Sequence, residues 1–326
     1  MIRIGIAGYG NIGKGVLAAA ASSRDCLPTA IFTRRDPRQL TDVPDSVERV
    51  SLDDIEAYKE RIDVLILCGG SKSDLPLQGP DLAGQFNIVD SFDTHAAIEE
   101  YLDKVDTAAR ADGRTAVISA GWDPGLFSMM RLLSCSVLPG GEPYTFWGKG
   151  VSQGHSEAIR SIKGVAGGIQ YTIPVDDAVE AVREGLNPAL TARQKHTRLC
   201  YVVPEPGADT ERIAEEIKKM PNYFAEYDTD VIFVTAEELE REHSKMPHGG
   251  RVIHSGTTGG TQNRHTMEFS LNLDSNPEFT GSVMLAFARA AFRLHREGRH
   301  GGFTPFDIPI CYLSPKNREE IIRDLL

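Results

Sequence analysis

The chain lacks several features that would decide its class at once. Its five cysteines (Cys26, Cys68, Cys135, Cys200 and Cys311) are scattered with no CxxC pair, so neither a zinc site nor a disulfide framework is indicated, and no metal is expected. The longest apolar run, near residues 16–21, is far too short to span a bilayer. The first strand opens at Ile2, which leaves no room for a signal peptide, and the expectation is a soluble, cytoplasmic, reduced protein. Positive charge is not in excess: the formal net charge of −11 disfavours nucleic acid or an anionic membrane as the main partner, while leaving room for a local basic pocket. Repeats and low-complexity segments are absent. Tryptophan is scarce, with only Trp122 and Trp147, both in glycine-flanked segments. With 41% hydrophobic and 25% charged residues the chain reads as globular, and 326 residues suit two domains better than one core.

What is present is most telling at the start. Ile2, Ile4, Ile6 and Ala7 read as a buried strand running into Gly8-Tyr9-Gly10-Asn11-Ile12-Gly13, followed by a helical stretch over 12–21. In that strand–turn–helix context GxGxxG indicates a dinucleotide site. Gly8 allows the tight turn, Gly10 the approach of backbone to a pyrophosphate, and Gly13 the packing of the helix on the sheet. The helix amino end offers N–H groups and a positive dipole end to phosphates. The second strand ends in Thr33-Arg34-Arg35, where an NAD site usually places an acidic residue for the ribose 2′-hydroxyl. Two guanidiniums and a hydroxyl suit a 2′-phosphate, which favours NADP. The competing account is a solvated basic loop with Asp36 in the ribose role.

Strand-like segments at 3–7, 29–33, 63–68, 87–90 and 115–119 alternate with helical ones at 12–21, 53–59 and 96–112. This predicts an α/β domain of Rossmann type, a doubly wound parallel sheet, over residues 1–120. Ligands of such sheets bind beyond the carboxyl ends of the strands, here Cys68-Gly69-Gly70-Ser71, Asp90-Ser91-Phe92-Asp93 and Gly121-Trp122-Asp123-Pro124-Gly125. Longer, alternating strands follow at 144–147, 165–175, 196–203, 230–235 and 265–273, with helices at 210–220 and 236–243. They predict a second, α+β domain with an open mixed sheet over residues 121–299, serving substrate binding and dimerisation. Segments 204–207 and 246–250 read as turn-rich loops, and 279–296 as a long, largely buried amphipathic helix. The segment of about 300–326, ending in a helix over 315–326, is expected to pack back on the first domain.

Several segments taken together, GYGNIG (8–13), FTRR (32–35), DSFDTH (90–95), GWDPG (121–125), FWGKGVSQGHS (146–156), QYTIP (170–174), MPHGG (246–250) and SNPEF (275–279), resemble the meso-diaminopimelate D-dehydrogenases, in order and over nearly the whole chain. The first motif is generic to dehydrogenases, whereas GWDPG, FWGxGxSQGHS and MPHGG together are specific. The resemblance implies NADP-dependent, reversible oxidative deamination at the D-centre of meso-2,6-diaminopimelate. The products are L-2-amino-6-oxopimelate, which cyclises to tetrahydrodipicolinate, with ammonia and NADPH. In reverse this supplies diaminopimelate for lysine and cell-wall synthesis, and the family is homodimeric. By the resemblance the cofactor loop is Gly8, Tyr9, Gly10, Asn11 and Ile12. The 2′-phosphate clamp is Thr33, Arg34 and Arg35, and the turn beside pyrophosphate and ribose is Cys68, Gly69, Gly70 and Ser71. The reacting D-centre falls to Asp93, Trp122 and Asp123. The distal L-centre falls to Trp147, Thr172, Arg198, His248 and Asn276, with Gln153 and Gly154 on the loop between.

The chemistry fits these roles. A long zwitterion with a carboxylate and an ammonium at each end needs anion clamps and ammonium acceptors. Arg198 suits the distal carboxylate, with Thr172 and His248 as further donors. Without the resemblance Arg198 reads as an exposed residue of a strand and His248 as a solvated loop histidine. Asp93 and Asp123 end or follow strands where a reacting amine would lie. Two carboxylates there can bind the ammonium, favour the cationic iminium and orient water. An Asp at its ordinary pKa of about 4 is a poor base near neutral pH, so positioning and electrostatics are the safer roles. The competing account of both is helix capping, and that of the tryptophans is core packing. His155 reads as loop-positioning. Two rivals are another NADP-dependent reductase of the aspartate or lysine pathways and a non-catalytic NADPH sensor. The first would carry a His-rich, Lys-bearing motif in the second domain, which is missing. The second would not need the two-ended clamp.

Overall fold

The computed structural model describes residues 1–259 and 263–326. The chain forms two compact units, one made of Met1–Met129 with Pro277–Leu326 and the other of Met130–Asn276. These limits differ from the expected 120 and 299.

In the first unit, β1 (Ile2–Ala7), β2 (Cys26–Thr33), β3 (Glu48–Ser51), β4 (Val64–Leu67), β5 (Ile88–Asp90) and β6 (Thr115–Val117) join a return strand, Gly301–Phe303. The order is return strand–β6–β5–β4–β1–β2–β3, and every pair is parallel. Val64, Leu65, Ile66 and Leu67 are all fully buried, as a central strand covered on both faces requires. Strand order reverses between β1 and β4, so the crevice beyond their carboxyl ends is the ligand position of a doubly wound sheet. One face buries Phe32, Leu65, Phe86, Phe92 and Tyr101 in a common core, each worth about 1.5–3 kcal/mol relative to exposure.

The difference in boundaries has a packing cause. A Cβ on Gly15 would lie 2.4 Å from the Pro277 carbonyl oxygen, and one on Gly281 would lie 2.3 Å from the Gly15 carbonyl carbon. The helix Asn11–Ala21 and the helix Asn276–Arg296 therefore cross backbone to backbone at paired glycines. Arg289, from the second helix, also clamps Asp25 at 2.8 Å and Ser23 at 2.9 Å. These contacts tie 277–299 to the first unit. The segment 53–59 is a 3₁₀ helix, Leu52–Tyr58, and the helix expected at 96–112 is Ile98–Ala111 after a 3₁₀ turn.

The second unit holds β7 (Glu142–Trp147), β8 (Gly150–Val151), β9 (Val165–Pro174), β10 (His196–Pro204), β11 (Asp228–Phe233), β12 (His248–Thr258) and β13 (Asn263–Leu273). The expected single sheet is two sheets among the described residues. One is a mixed sheet, β11–β10–β9–β8, and the other an antiparallel sheet, β13–β12–β7. Strand β12 begins inside the segment that reads as a turn. Gly249 has φ +154°, and a Cβ there would lie 2.3 Å from the Leu271 carbonyl oxygen of β13. Its glycines serve close strand approach, which local sequence does not distinguish from a turn. Among the described residues no helix is long and apolar enough to cross a membrane.

Candidate functional site

The candidate residues divide between the two units, and each set is built by its own sheet. In the first unit the glycine loop follows β1. Gly8 has φ +98° and donates to the Phe32 carbonyl at 2.9 Å. A Cβ on Gly13 would lie 2.2 Å from the Gly8 carbonyl oxygen, so the helix sits directly on the turn. Gly10 differs: apart from its chain neighbours, no described residue comes within 4 Å of where its Cβ would be, so tertiary packing does not demand glycine there. That open side fits the close approach of a pyrophosphate to the backbone. Asn11 is exposed and Ile12 half-buried at the amino end of the helix, which has no side-chain cap and no acidic residue in its first turn. Tyr9 is buried, and its carbonyl accepts from Arg35 Nη2 at 2.6 Å.

Beyond β2, the Thr33 hydroxyl accepts from the Arg35 backbone N–H at 3.1 Å, and Arg34 pairs with Asp74 at 2.9 Å while remaining largely exposed. Asp36 is held by Arg38, which donates to it through backbone N, Nε and Nη2. The carboxylate that could compete for a ribose 2′-hydroxyl is thus engaged, while two guanidiniums stand beside the strand end. This donor set fits a 2′-phosphate.

The turn after β4 is joined to the turn after β5. Gly70 N–H donates to Asp74 at 2.8 Å, and the Ser71 hydroxyl lies 3.1 Å from that of Thr94 and accepts from the Asp93 N–H at 2.9 Å. A Cβ on Gly69 would lie 2.7 Å from Asp74 Cβ, which explains glycine at that position. Burial pushes the Cys68 thiol up to about 12, so it stays a neutral thiol. Asp93 is exposed and Asp123 half-buried. Trp122 is 7% exposed and packs edge-to-face on Phe127 at 5.2 Å.

Sequence reasoning missed the group that braces these turns. Asp90 is fully buried at the end of β5 and accepts from the N–H groups of Phe92 (2.9 Å) and Ser119 (3.1 Å) and from Tyr101 Oη (2.7 Å). Its carbonyl also accepts from Ala120 N–H at 2.7 Å. One residue therefore fixes the start of both the Asp93 turn and the Trp122-Asp123 turn. Burial raises its carboxyl to about 6 despite the hydrogen bonds.

In the second unit the antiparallel register of β9 and β10 places Arg198 opposite Thr172, and Arg198 Nη1 donates to the Thr172 hydroxyl. Arg198 is 7% exposed, correcting the reading of it as an exposed strand residue. Its guanidinium lies over the Tyr227 ring, 3.9 Å from the centroid. Among the described residues no carboxylate pairs with it, and its Nε is buried without a partner. Burial lowers its pKa. A buried guanidinium that no described carboxylate neutralises fits an incoming anion. Gln170, fully buried two residues before Thr172, donates to the Thr172 hydroxyl at 3.3 Å.

Short strand β8 joins the remaining residues to this pair. Gly150 pairs with Thr172, and a Cβ on Gly150 would lie 2.5 Å from His248 Cγ, so the imidazole packs against that backbone. Burial lowers the His248 pKa, which holds the ring neutral near pH 7. Trp147 pairs with Gly250 and is 38% exposed. Its backbone N–H donates to His196 Nε2 at 2.8 Å, and its ring stacks on His196 at 5.4 Å. Burial, and then the Arg198 and Lys195 cations, lower His196 to about 4, so it remains a neutral acceptor. Gln153 Nε2 donates to Met246 Sδ at 3.2 Å, and the Asn276 N–H donates to the Met246 carbonyl at 2.9 Å. No protein atom lies within 4 Å of where a Cβ on Gly154 would be. The second unit thus gathers Trp147, Gln153, Gly154, Thr172, Arg198, His248 and Asn276, together with Tyr227, Gln170, His196 and Met246, which the sequence did not single out. His155 bonds Ser152 Oγ at 2.8 Å and packs on Tyr223 and Phe224.

A family model for the diaminopimelic acid dehydrogenase C-terminal domain matches residues 121–275. A meso-diaminopimelate D-dehydrogenase of Acetivibrio thermocellus is 55% identical over 326 residues, covering 100% of this chain and 98% of that one. The solved structure of the C. glutamicum DAP dehydrogenase in complex with DAP has 41% identity and a TM-score of 0.90, covering 100% of this chain and 99% of that one. An engineered D-amino acid dehydrogenase bound to NADP+ has 40% identity and a TM-score of 0.86, with coverage of 100% and 99%.

Proposed function

The chain belongs to the meso-diaminopimelate D-dehydrogenase family, and from that premise we propose that it catalyses the NADP-dependent, reversible oxidative deamination of meso-2,6-diaminopimelate at its D-centre. The observation that carries the reading is Arg198, a buried guanidinium with no counter-ion among the described residues, bonded to Thr172 and resting on Tyr227. A distal carboxylate supplies the missing anion. His248 and Asn276 complete the recognition of that L-centre, Trp147 walls it, and Gln153 with Gly154 forms the adjoining loop.

Asp93, Trp122 and Asp123 serve the reacting D-centre. The two carboxylates hold the ammonium, favour the cationic iminium and orient the water that attacks it, while Trp122 excludes bulk solvent. NADP+, when bound, supplies the acceptor for the hydride. Gly8, Tyr9, Gly10, Asn11 and Ile12 hold its pyrophosphate, Thr33, Arg34 and Arg35 its 2′-phosphate, and Cys68, Gly69, Gly70 and Ser71 flank its ribose. The oxidised substrate and water yield L-2-amino-6-oxopimelate, ammonia and a proton beside NADPH. A cytoplasmic homodimer in lysine biosynthesis completes the reading.

The test is direct. The protein is mixed with NADP+ and, separately, the meso, LL and DD isomers of diaminopimelate, and NADPH absorbance is followed. Activity on meso but not LL supports reaction and stereochemistry. NADPH binding without turnover on any isomer overturns the enzymatic assignment.

A further inference from the structure

We propose that the first unit carries a second anion site, for a small oxyanion of phosphate size, at the amino-terminal edge of its parallel sheet. Arg3 lies at the start of β1, Asp63 precedes β4, Asn87 precedes β5 and Arg114 precedes β6. In an all-parallel sheet these positions share one edge, opposite the carboxyl ends that bear the glycine loop and the Asp93 turn. A cavity of about 210 Å³ opens there, lined by Arg3, Lys59, Arg114, His295 and Arg296 among others.

Three observations point to an anion. First, the Arg114 guanidinium makes no hydrogen bond or ion pair with any described residue, and its Nε is buried without a partner. Second, His295 Nδ1 is likewise buried and unpartnered, as is Nδ1 of His300, whose ring lies 5.3 Å away. Three of the molecule's orphaned buried nitrogens therefore sit in one neighbourhood. Third, the charges do not balance. Four permanent cations line the cavity against the carboxylates of Glu60 and Asp63, and Asp63 is already taken by Arg3 through Nη2 at 2.7 Å and Nε at 3.1 Å.

Leaving a buried charged donor unmatched costs more than leaving a neutral one. Half-buried Arg114 shares one feature with Arg198: a buried Nε without a partner, on a guanidinium that no described carboxylate pairs with. An oxyanion would accept charge-assisted bonds from Arg114 and Arg296 and a further bond from His295. The cavity volume suits inorganic phosphate. The consequence is stabilisation of the native first unit by phosphate, since a ligand bound only by the folded state raises stability by mass action.

The test is isothermal titration of the full chain with inorganic phosphate at constant ionic strength, in saturating NADP+ so that the cofactor's own phosphate positions are filled. A parallel titration in Arg35→Met protein without NADP+ makes the result independent of cofactor binding. The expected result is one phosphate per chain in both, weakened about tenfold or more by Arg114→Gln and several-fold by Arg296→Gln. Should Arg114→Gln not fold, exposed Arg296→Gln decides alone. Absence of phosphate binding, or unchanged affinity in the folded variants, overturns the proposal.

Discussion

The backbone N–H of Asp93 donates to the hydroxyl of Ser71 at 2.9 Å, and that hydroxyl also lies 3.1 Å from the Thr94 hydroxyl, so one side chain joins the turn after β4 to the turn after β5. The first is assigned to the cofactor and the second to the reacting amine. Ser71→Ala removes a bond worth about 1 kcal/mol. The expected outcome is a loss of about fivefold in kcat/KM for meso-diaminopimelate, with little change in Tm. Steady-state kinetics beside a thermal melt checks it, and an unchanged kcat/KM would uncouple the two turns.

Arg198 should separate function from stability. It is buried without a counter-ion among the described residues, so Arg198→Met removes a charge that is costly for the fold to hold. Tm is expected to rise by about 2 °C as roughly 1 kcal/mol of desolvation is relieved. Use of meso-diaminopimelate is expected to fall about a hundredfold or more, with simpler D-amino acids accepted relatively better. A variant that melts lower and keeps its selectivity would contradict the clamp.

The glycine loop offers a matched pair. Gly13→Ala drives a methyl to within 2.2 Å of the Gly8 carbonyl oxygen, whereas Gly10→Ala meets no protein atom within 4 Å. Gly13→Ala is expected to lower Tm and weaken NADP+ binding together. Gly10→Ala is expected to leave Tm unchanged and raise the NADP+ Kd by about tenfold or more, because the methyl occupies space assigned to the pyrophosphate. Fluorescence titration and differential scanning calorimetry on both variants decide the matter.

His196 imposes a pH dependence of definite sign. Its folded pKa is lowered to about 4 from an ordinary 6.5, so between those values the unfolded chain binds the extra proton. Stability contributed by neutral His196 is complete above about pH 6.5 and is lost as pH falls toward 4. Asp90 acts with the opposite sign: its folded pKa of about 6 exceeds the ordinary 3.8, so its contribution declines as pH rises through that window. Denaturant melts of wild type and His196→Gln from pH 4 to 7 are expected to show a flatter acid limb in the variant. Identical limbs would show that His196 is not the titrating group.

How much was legible beforehand depends on the range of the interaction. The glycine loop, Thr33-Arg34-Arg35 and the alternation of strand and helix are local, and the chain alone determined a Rossmann-type sheet. The segments holding Asp93, Trp122 and Asp123 were legible as strand ends of such a sheet, and their proposed roles came from the resemblance. Strand β12 was not, since Gly249 and Gly250 have the composition of a turn and only pairing with β13 fixes them as strand. Nor was the helix crossing at Gly15 and Gly281, which joins residues distant in sequence and moves 277–299 into the first unit. Register likewise decided the clamp. The sequence supplied Thr172 and Arg198 as candidates, but their cross-strand pairing, the burial of the guanidinium over Tyr227 and the absence of a counter-ion are tertiary facts. Periodicity reports which face a residue occupies within its own element; what lies against that face, and which charges are left unmatched there, is set by segments brought together only when the chain folds.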